Sequence, residues 1–207
     1  MSDPAAARHT PVRWGQPPPG RLARWVARLR ETLAGEQRSP RQSLPPLPVA
    51  LRRAGLATPY LAAESSGDHQ RAGAAATTAM ELAVAAADWW PADIWGHRAL
   101  WHFEQAGMEL AATRGARLIG DLRVAAGDPA SARRYYAEAI SEARDIGAER
   151  EEGLAALGMG NAALDLEDVT TSRRLAQIAI DLLERCAAPE AEVSAARELR
   201  GEEKEVP

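Results

Sequence analysis

A shift of 40 residues lays this chain onto itself: Ile119-Gly120-Asp121 falls on Met159-Gly160-Asn161, Asp128 on Asp168, Ala132 on Ser172, Ala139-Ile140 on Ala179-Ile180 and Gly107 on Gly147. A shift of 60 adds a third occurrence, with Gly127-Asp128 on Gly67-Asp68, Ala132 on Ala72, Tyr136 on Ala76 and Ala139-Ile140 on Ala79-Met80. Recurrence at a fixed period constrains the fold more than any composition does. It means that one supersecondary unit is stacked on copies of itself, because a lone unit leaves part of its apolar face uncovered.

The stretch AAGDPASARRYYAEAI, residues 125–140, shows what the unit is. Gly127 ends a helix, since glycine adopts the left-handed C′ conformation without a Cβ penalty. Asp128 then caps the next helix and Pro129 suits its first position, where no amide donor is needed. Ala132 and, on the preceding helix, Gly120 are small, as close approach of paired helices requires, and Tyr136 fills wider space. The chain is rich in Ala, Leu, Glu and Arg, with only 5% aromatic residues, which favours helix over sheet. The expected fold is therefore all-α, a short α-solenoid of antiparallel helical hairpins over 49–200. Breaks are expected at Gly67-Asp68, Trp90-Pro91, Gly127-Asp128, Gly147, Glu167-Asp168 and Pro189. Residues 88–106 do not fit the period and read as an extra or degenerate helix starting near Pro91 or Asp93.

The unit resembles the tetratricopeptide repeat, with Gly120 as the small residue of the first helix, Gly127-Asp128 as the turn, and Ala132, Tyr136 and Ala139 in the second helix. Residues 113–146 carry the resemblance best, then 153–186, then 53–87. Ala116 stands where the family places Trp, and Ala176 replaces the second-helix aromatic. The spacing of 40 exceeds the usual unit of about 34 and is similar to longer arrays attached to bacterial regulators and signalling proteins. The resemblance implies binding through a groove lined by first helices. Matching positions are Arg114, Arg117, Asp121 and Val124, then Leu157, Asn161, Leu164 and Asp165. Members that clamp a terminal carboxylate use Lys and Asn; here Arg117 and Leu157 occupy the Lys positions and only Asn161 agrees, so such a clamp is not expected.

Charge divides the chain. Residues 1–53 hold ten Arg against three acids, about +7, and the remainder carries −11, giving the net −4. The arm, residues 1–48, is Pro-rich and reads as disordered around one amphipathic helix near 21–34, with Leu22, Trp25, Val26, Leu29 and Leu33 on one face and Arg21, Arg24 and Arg28 elsewhere. Docking on protein, either a partner or the acidic body, is the leading reading of that helix. An anionic membrane surface and nucleic acid are the alternatives. Residues 201–207 form an acidic tail.

The single Cys186 excludes an internal disulfide, and no Cys cluster offers a metal site. No apolar run reaches membrane-spanning length and no signal peptide is evident, so a soluble, cytoplasmic protein is expected. Trp89, Trp90, Trp95, Trp101, His97 and His102 crowd one segment, read either as core filling or as a ligand pocket or hot spot. His97 and His102 are five apart and diverge on a helix, which does not suit a shared metal. Ser65-Ser66 near Asp68 and His69 lacks the glycines of a nucleophile elbow. The acids Glu142, Asp145, Glu149, Glu151 and Glu152 read as a solvated run. The expectation is a protein-binding adaptor or regulatory subunit with no catalytic residues and no cofactor. A small-ligand sensor built on the Trp/His segment is the alternative.

Overall fold

The computed structural model describes residue 55 and residues 57–201. The arm with Arg21, Arg24, Trp25 and Arg28, and the tail from Glu202 onward, lie outside the described residues. What is described is all-helical: α1 (Ala57–Ser66), α2 (His69–Ala85), α3 (Trp89–Gln105), α4 (Glu109–Ala125), α5 (Pro129–Asp145), α6 (Glu149–Asp165), α7 (Val169–Arg185) and α8 (Glu190–Arg200). None of these helices is long and apolar enough to cross a membrane.

From α2 to α7 every helix has 17 residues, and the starts fall at 69, 89, 109, 129, 149 and 169. The underlying period is thus 20, one helix plus a three-residue turn, and 40 is two of these. This corrects two expectations. Residues 88–106 are not an irregular insertion, because α3 is a full helix in register and starts at Trp89 rather than at Pro91 or Asp93. Pro91 falls within the first turn of α3, where amides have no intrahelical acceptor, so no break occurs at Trp90-Pro91. The shift of 60 spans three helices, so it laid α5 on α2, a helix of the other layer. The like-for-like partner of α5 two helices earlier is α3, where Ala92, Gly96 and Ala99 stand for Ala132, Tyr136 and Ala139.

A single turn geometry sets this register. Residues 67, 87, 107, 127, 147, 167 and 187 all have φ between 52° and 83°. At the turn after α4, the Asp128 amide donates to the Arg123 carbonyl at 2.8 Å and the Gly127 amide to Val124 at 3.0 Å. The same two bonds recur at each of the other six positions and satisfy the carbonyls that a helix end leaves open. Glycine supplies the left-handed residue at 67, 107, 127 and 147, but Ala87, Glu167 and Ala187 adopt it with a Cβ. Asp68, Asp128 and Asp168 then accept the amides of Arg71, Ser131 and Thr171 as N-caps.

Consecutive helices pack against one another, most extensively within α2–α3, α4–α5 and α6–α7. α4 also reaches α6, and α6 reaches α8, so these first helices form one layer while α3, α5 and α7 form the other. The core is a chain of local clusters. One joins Tyr60, Met80 and Trp95 of α1, α2 and α3; Ala116, Ala139 and Ala155 join α4, α5 and α6; Ile180, Leu183, Val193 and Ala196 join α7 and α8. Fully buried alanines let backbones approach closely, and each unit depends on its neighbours for burial.

Tyr136 marks the tightest of these crossings. Its ring lies where a Cβ on Gly120 would come to 2.8 Å, and it equally overlaps a Cβ on Gly158 of α6. The ring therefore wedges at a close approach of α4 and α6 rather than filling wider space. Glu167→Gly should raise stability by about 0.5–1 kcal/mol in urea denaturation, because the left-handed conformation costs a side-chain-bearing residue energy. Gly127→Ala should lower stability by about 1 kcal/mol, and equal effects of the two substitutions would contradict this account of the turn.

Candidate functional site

The residues expected to line a groove on the first helices divide sharply on inspection. Arg117 is buried: its Nε donates to Glu151 Oε2 at 3.0 Å and its Nη1 to Asp121 Oδ2 at 2.9 Å. Asp121 also accepts the Tyr136 hydroxyl at 2.8 Å, and Arg114, half exposed, donates to Glu151 Oε1 at 3.0 Å. These five side chains tie α4, α5 and α6 together. Leu157 belongs to the core with Ala156, Ile180 and Leu183, and Val124 packs on Tyr136 and Ala132. Asn161 turns its amide back to the Leu157 carbonyl at 3.0 Å. Only Arg114, Leu164 and Asp165 of this set are exposed. Nor are the acids of 142–152 a wholly solvated run. Glu151 and Glu152 are buried, and Glu152 accepts from Arg144 at 2.7 Å.

Burial sets the electrostatics of this network. It opposes the charge on Arg117, yet Asp121 and Glu151 hold that guanidinium's proton more firmly than water does. Burial likewise acts to raise Glu151, but Arg117 and Arg114 overcome it and keep the carboxyl below the usual range. Asp121 is pushed up by burial, with Arg117 and the Tyr136 hydroxyl pulling back. Tyr136 is raised well above an ordinary phenol, first by burial and then by Asp121.

An open cleft of about 580 Å³ lies on the other part of the fold, between α1, α3 and α4. Tyr60 and Glu64 come from α1, Ile94, His97, Arg98, Trp101 and His102 from α3, and Arg123 from α4. The aromatic segment of the sequence is thereby sorted. Trp95 is core, edge-on to Tyr60 at 5.1 Å between centroids, and Trp89 is half-buried against the same cluster. Trp90 is exposed away from the cleft lining, whereas Trp101 is 49% exposed and lies at the cleft.

The walls of the cleft are held by a directed hydrogen-bond chain. Tyr60 donates its hydroxyl proton to Glu64 Oε1 at 3.0 Å, so its oxygen is an acceptor for His102 Nε2 at 3.2 Å and for Arg98 Nη1 at 3.3 Å. A neutral His102 with its proton on Nε2 then presents a bare Nδ1 to His69 Nδ1, 3.0 Å away. His69 stands edge-on to Trp101 at 5.3 Å, so the chain ends against that ring. Arg98 lies over the Trp95 ring at 5.1 Å and Arg123 pairs with Asp93 at 2.6 Å. His97, also at the cleft, pairs through Nε2 with the Tyr135 hydroxyl at 3.0 Å and takes no part in this chain.

Tyr60, Glu64, Arg98 and Arg123 were missed from the sequence. Tyr60 and Glu64, four apart, share a helix face, but nothing local ties α1 to His102, 42 residues away in sequence at Tyr60's hydroxyl. Arg98 differs, since it lies within the aromatic segment and one turn before His102. Among the described residues, no three His, Cys, Asp or Glu side chains come together as a metal site.

Two stability measurements check this assignment of roles. Glu151→Ala should cost about 3 kcal/mol by removing one of the two carboxylates that pair with buried Arg117 and leaving its Nε unsatisfied, while Arg114→Ala, at the exposed edge, should cost at most about 1 kcal/mol. Comparable losses would place Arg117 nearer solvent than described. For His102, burial and then the neighbouring His69 lower the proton affinity of the folded state. The unfolded chain therefore binds a proton first as pH falls below about 6.5, and stability drops by at most about 1.4 kcal/mol per pH unit until the folded protein also protonates. His102→Gln should flatten that decline between neutral and mildly acid pH, and an unchanged slope would count against a neutral buried His102. The chain matches no protein-family model and no curated protein sequence.

Proposed function

We propose that this chain is a non-enzymatic protein-binding module of the tetratricopeptide type, an adaptor or regulatory subunit, and that its partner docks on the cleft between α1, α3 and α4. The observation that carries the reading is Trp101, half exposed at a pre-built edge. His69 and His102 fix its ring from one side, at 5.3 and 4.8 Å, so a partner side chain meets a surface that needs no reordering. Tryptophan in such a setting is a frequent energetic anchor of interfaces. The regular stack of helices supports the same reading, since solenoids present extended surfaces to peptides and domains.

The groove implied by the repeat resemblance contributes less than the sequence suggested. Arg117, Asp121 and Leu157 are engaged inside the body, which leaves Arg114, Leu164 and Asp165 as its exposed members. A second reading, a small-ligand sensor, draws on the cleft volume of about 580 Å³, which falls in the range of small-molecule sites. The wide opening of the cleft favours a peptide or domain over an enclosed ligand.

Affinity capture from the native host separates the two. The module should retain a defined protein in near-stoichiometric amount, and Trp101→Ala should reduce its recovery by tenfold or more, about the loss of one hot-spot side chain. Tryptophan fluorescence that responds to a small molecule, with no protein retained, would replace the adaptor with the sensor.

A further inference from the structure

The helical body is acidic, yet one part of it gathers arginines that it leaves unneutralised. Eight arginines of the body, from Arg71 to Arg197, sit at 3.3 Å or less from a carboxylate. Arg133 and Arg134 on α5, and Arg173 and Arg174 on α7, have no ion pair among the described residues and are all exposed. No acid stands three or four residues from Arg133, Arg173 or Arg174, so the helices offer them no partner of their own. Arg134 does have Glu138 four residues on, but it lies over the Tyr135 ring at 4.9 Å instead and donates to that hydroxyl at 3.1 Å.

Position unites the four. The pairs are 40 residues apart and occupy the same register of two helices in one layer, so they face the same way one hairpin apart. Asp168 lies within electrostatic reach of both Arg133 and Arg174, which brings the two helices' charges to one place. Its carboxylate is engaged as the N-cap of α7, accepting the Thr171 amide at 3.0 Å, and leaves most of the positive charge uncompensated.

We propose that Arg133, Arg134, Arg173 and Arg174 form a second contact surface, on the α5–α7 face, for a short glutamate- or aspartate-rich segment of a partner protein. Guanidinium forks match carboxylates in geometry and charge. A long polyanion fits less well. Glu138, Glu142 and Asp145 on the later turns of α5, and Asp181 and Glu184 on α7, repel any duplex or anionic lipid surface that extends along these helices. The surface rests on the reading of the chain as a binding module but uses none of the cleft residues.

The test is titration of the full-length protein into a short fluorescent polyglutamate peptide. Replacing all four arginines by serine should weaken binding at least tenfold, the sum of about four exposed charge pairs, and the wild-type affinity should fall as salt rises. Circular dichroism of that variant should remain wild-type, since every replaced side chain is at the surface. Arg21→Ala/Arg24→Ala/Arg28→Ala in the arm should leave the affinity unchanged, and so should deletion of residues 202–207. The proposal is overturned if the four-serine variant binds as wild type does, if only the arm variant loses binding, or if the same arginines bind duplex DNA or phosphatidylserine vesicles more tightly than the peptide. It is equally overturned if the peptide binds only after 202–207 are deleted, which would make the chain's own tail the occupant. Trp101→Ala should not change peptide affinity, so failure here alongside Trp101-dependent capture sinks the arginine surface alone.

Discussion

Everything regular in this molecule depends on one backbone conformation, the left-handed residue that closes each helix. It recurs every 20 residues from 67 to 187, and at each place the same two carbonyl-capping bonds form. A helix stopped at a fixed length and reversed by a fixed turn presents its faces in fixed register to the next. Glycines then fall where a large side chain of a neighbouring helix needs room, as Gly73 does for Phe103 and Gly120 for Tyr136. Ala87, Glu167 and Ala187 accept a strained conformation to keep that register, which shows that the stack tolerates local cost where the alternative is a displaced helix.

Register in turn decides where polar groups go. The Tyr136 ring fits between Gly120 and Gly158 because the two first helices pass close together there, and its hydroxyl must then find a buried acceptor, which is Asp121. Asp121 requires a cation, Arg117 supplies it, and Arg117 requires Glu151. Residues with the composition of a binding groove are thus consequences of an aromatic wedge. The surfaces we propose for recognition lie elsewhere, at Trp101 and on the exposed arginines of α5 and α7.

The fold was legible in the sequence at most turns marked by glycine or by a capping aspartate: breaks were expected at Gly67-Asp68, Gly127-Asp128, Gly147 and Glu167-Asp168, though not at Gly107. Gly127-Asp128 and Gly147 stated their helix ends plainly, and the hairpin of 40 followed. The turn at residue 87 was not legible, because an alanine in an alanine run carries no mark of positive φ. With that turn unseen, Pro91 attracted the break, and 88–106 looked irregular. The site was less legible than the fold for a different reason. Arg117 and Asp121 are four apart on one helix, but their burial with Glu151, 34 residues on from Arg117, and with Tyr136 is a fact of packing between helices. The link from Tyr60 to His102 is likewise between helices that share no local pattern.

The account stands on the 20-residue register, and backbone NMR chemical shifts of the full-length protein measure it most directly. They should be helical without interruption across 89–105 and should show left-handed residues at Ala87, Glu167 and Ala187 as at the turn glycines. Helical shifts running through 87 or 167, or a helix that begins at Pro91 or beyond, would contradict it.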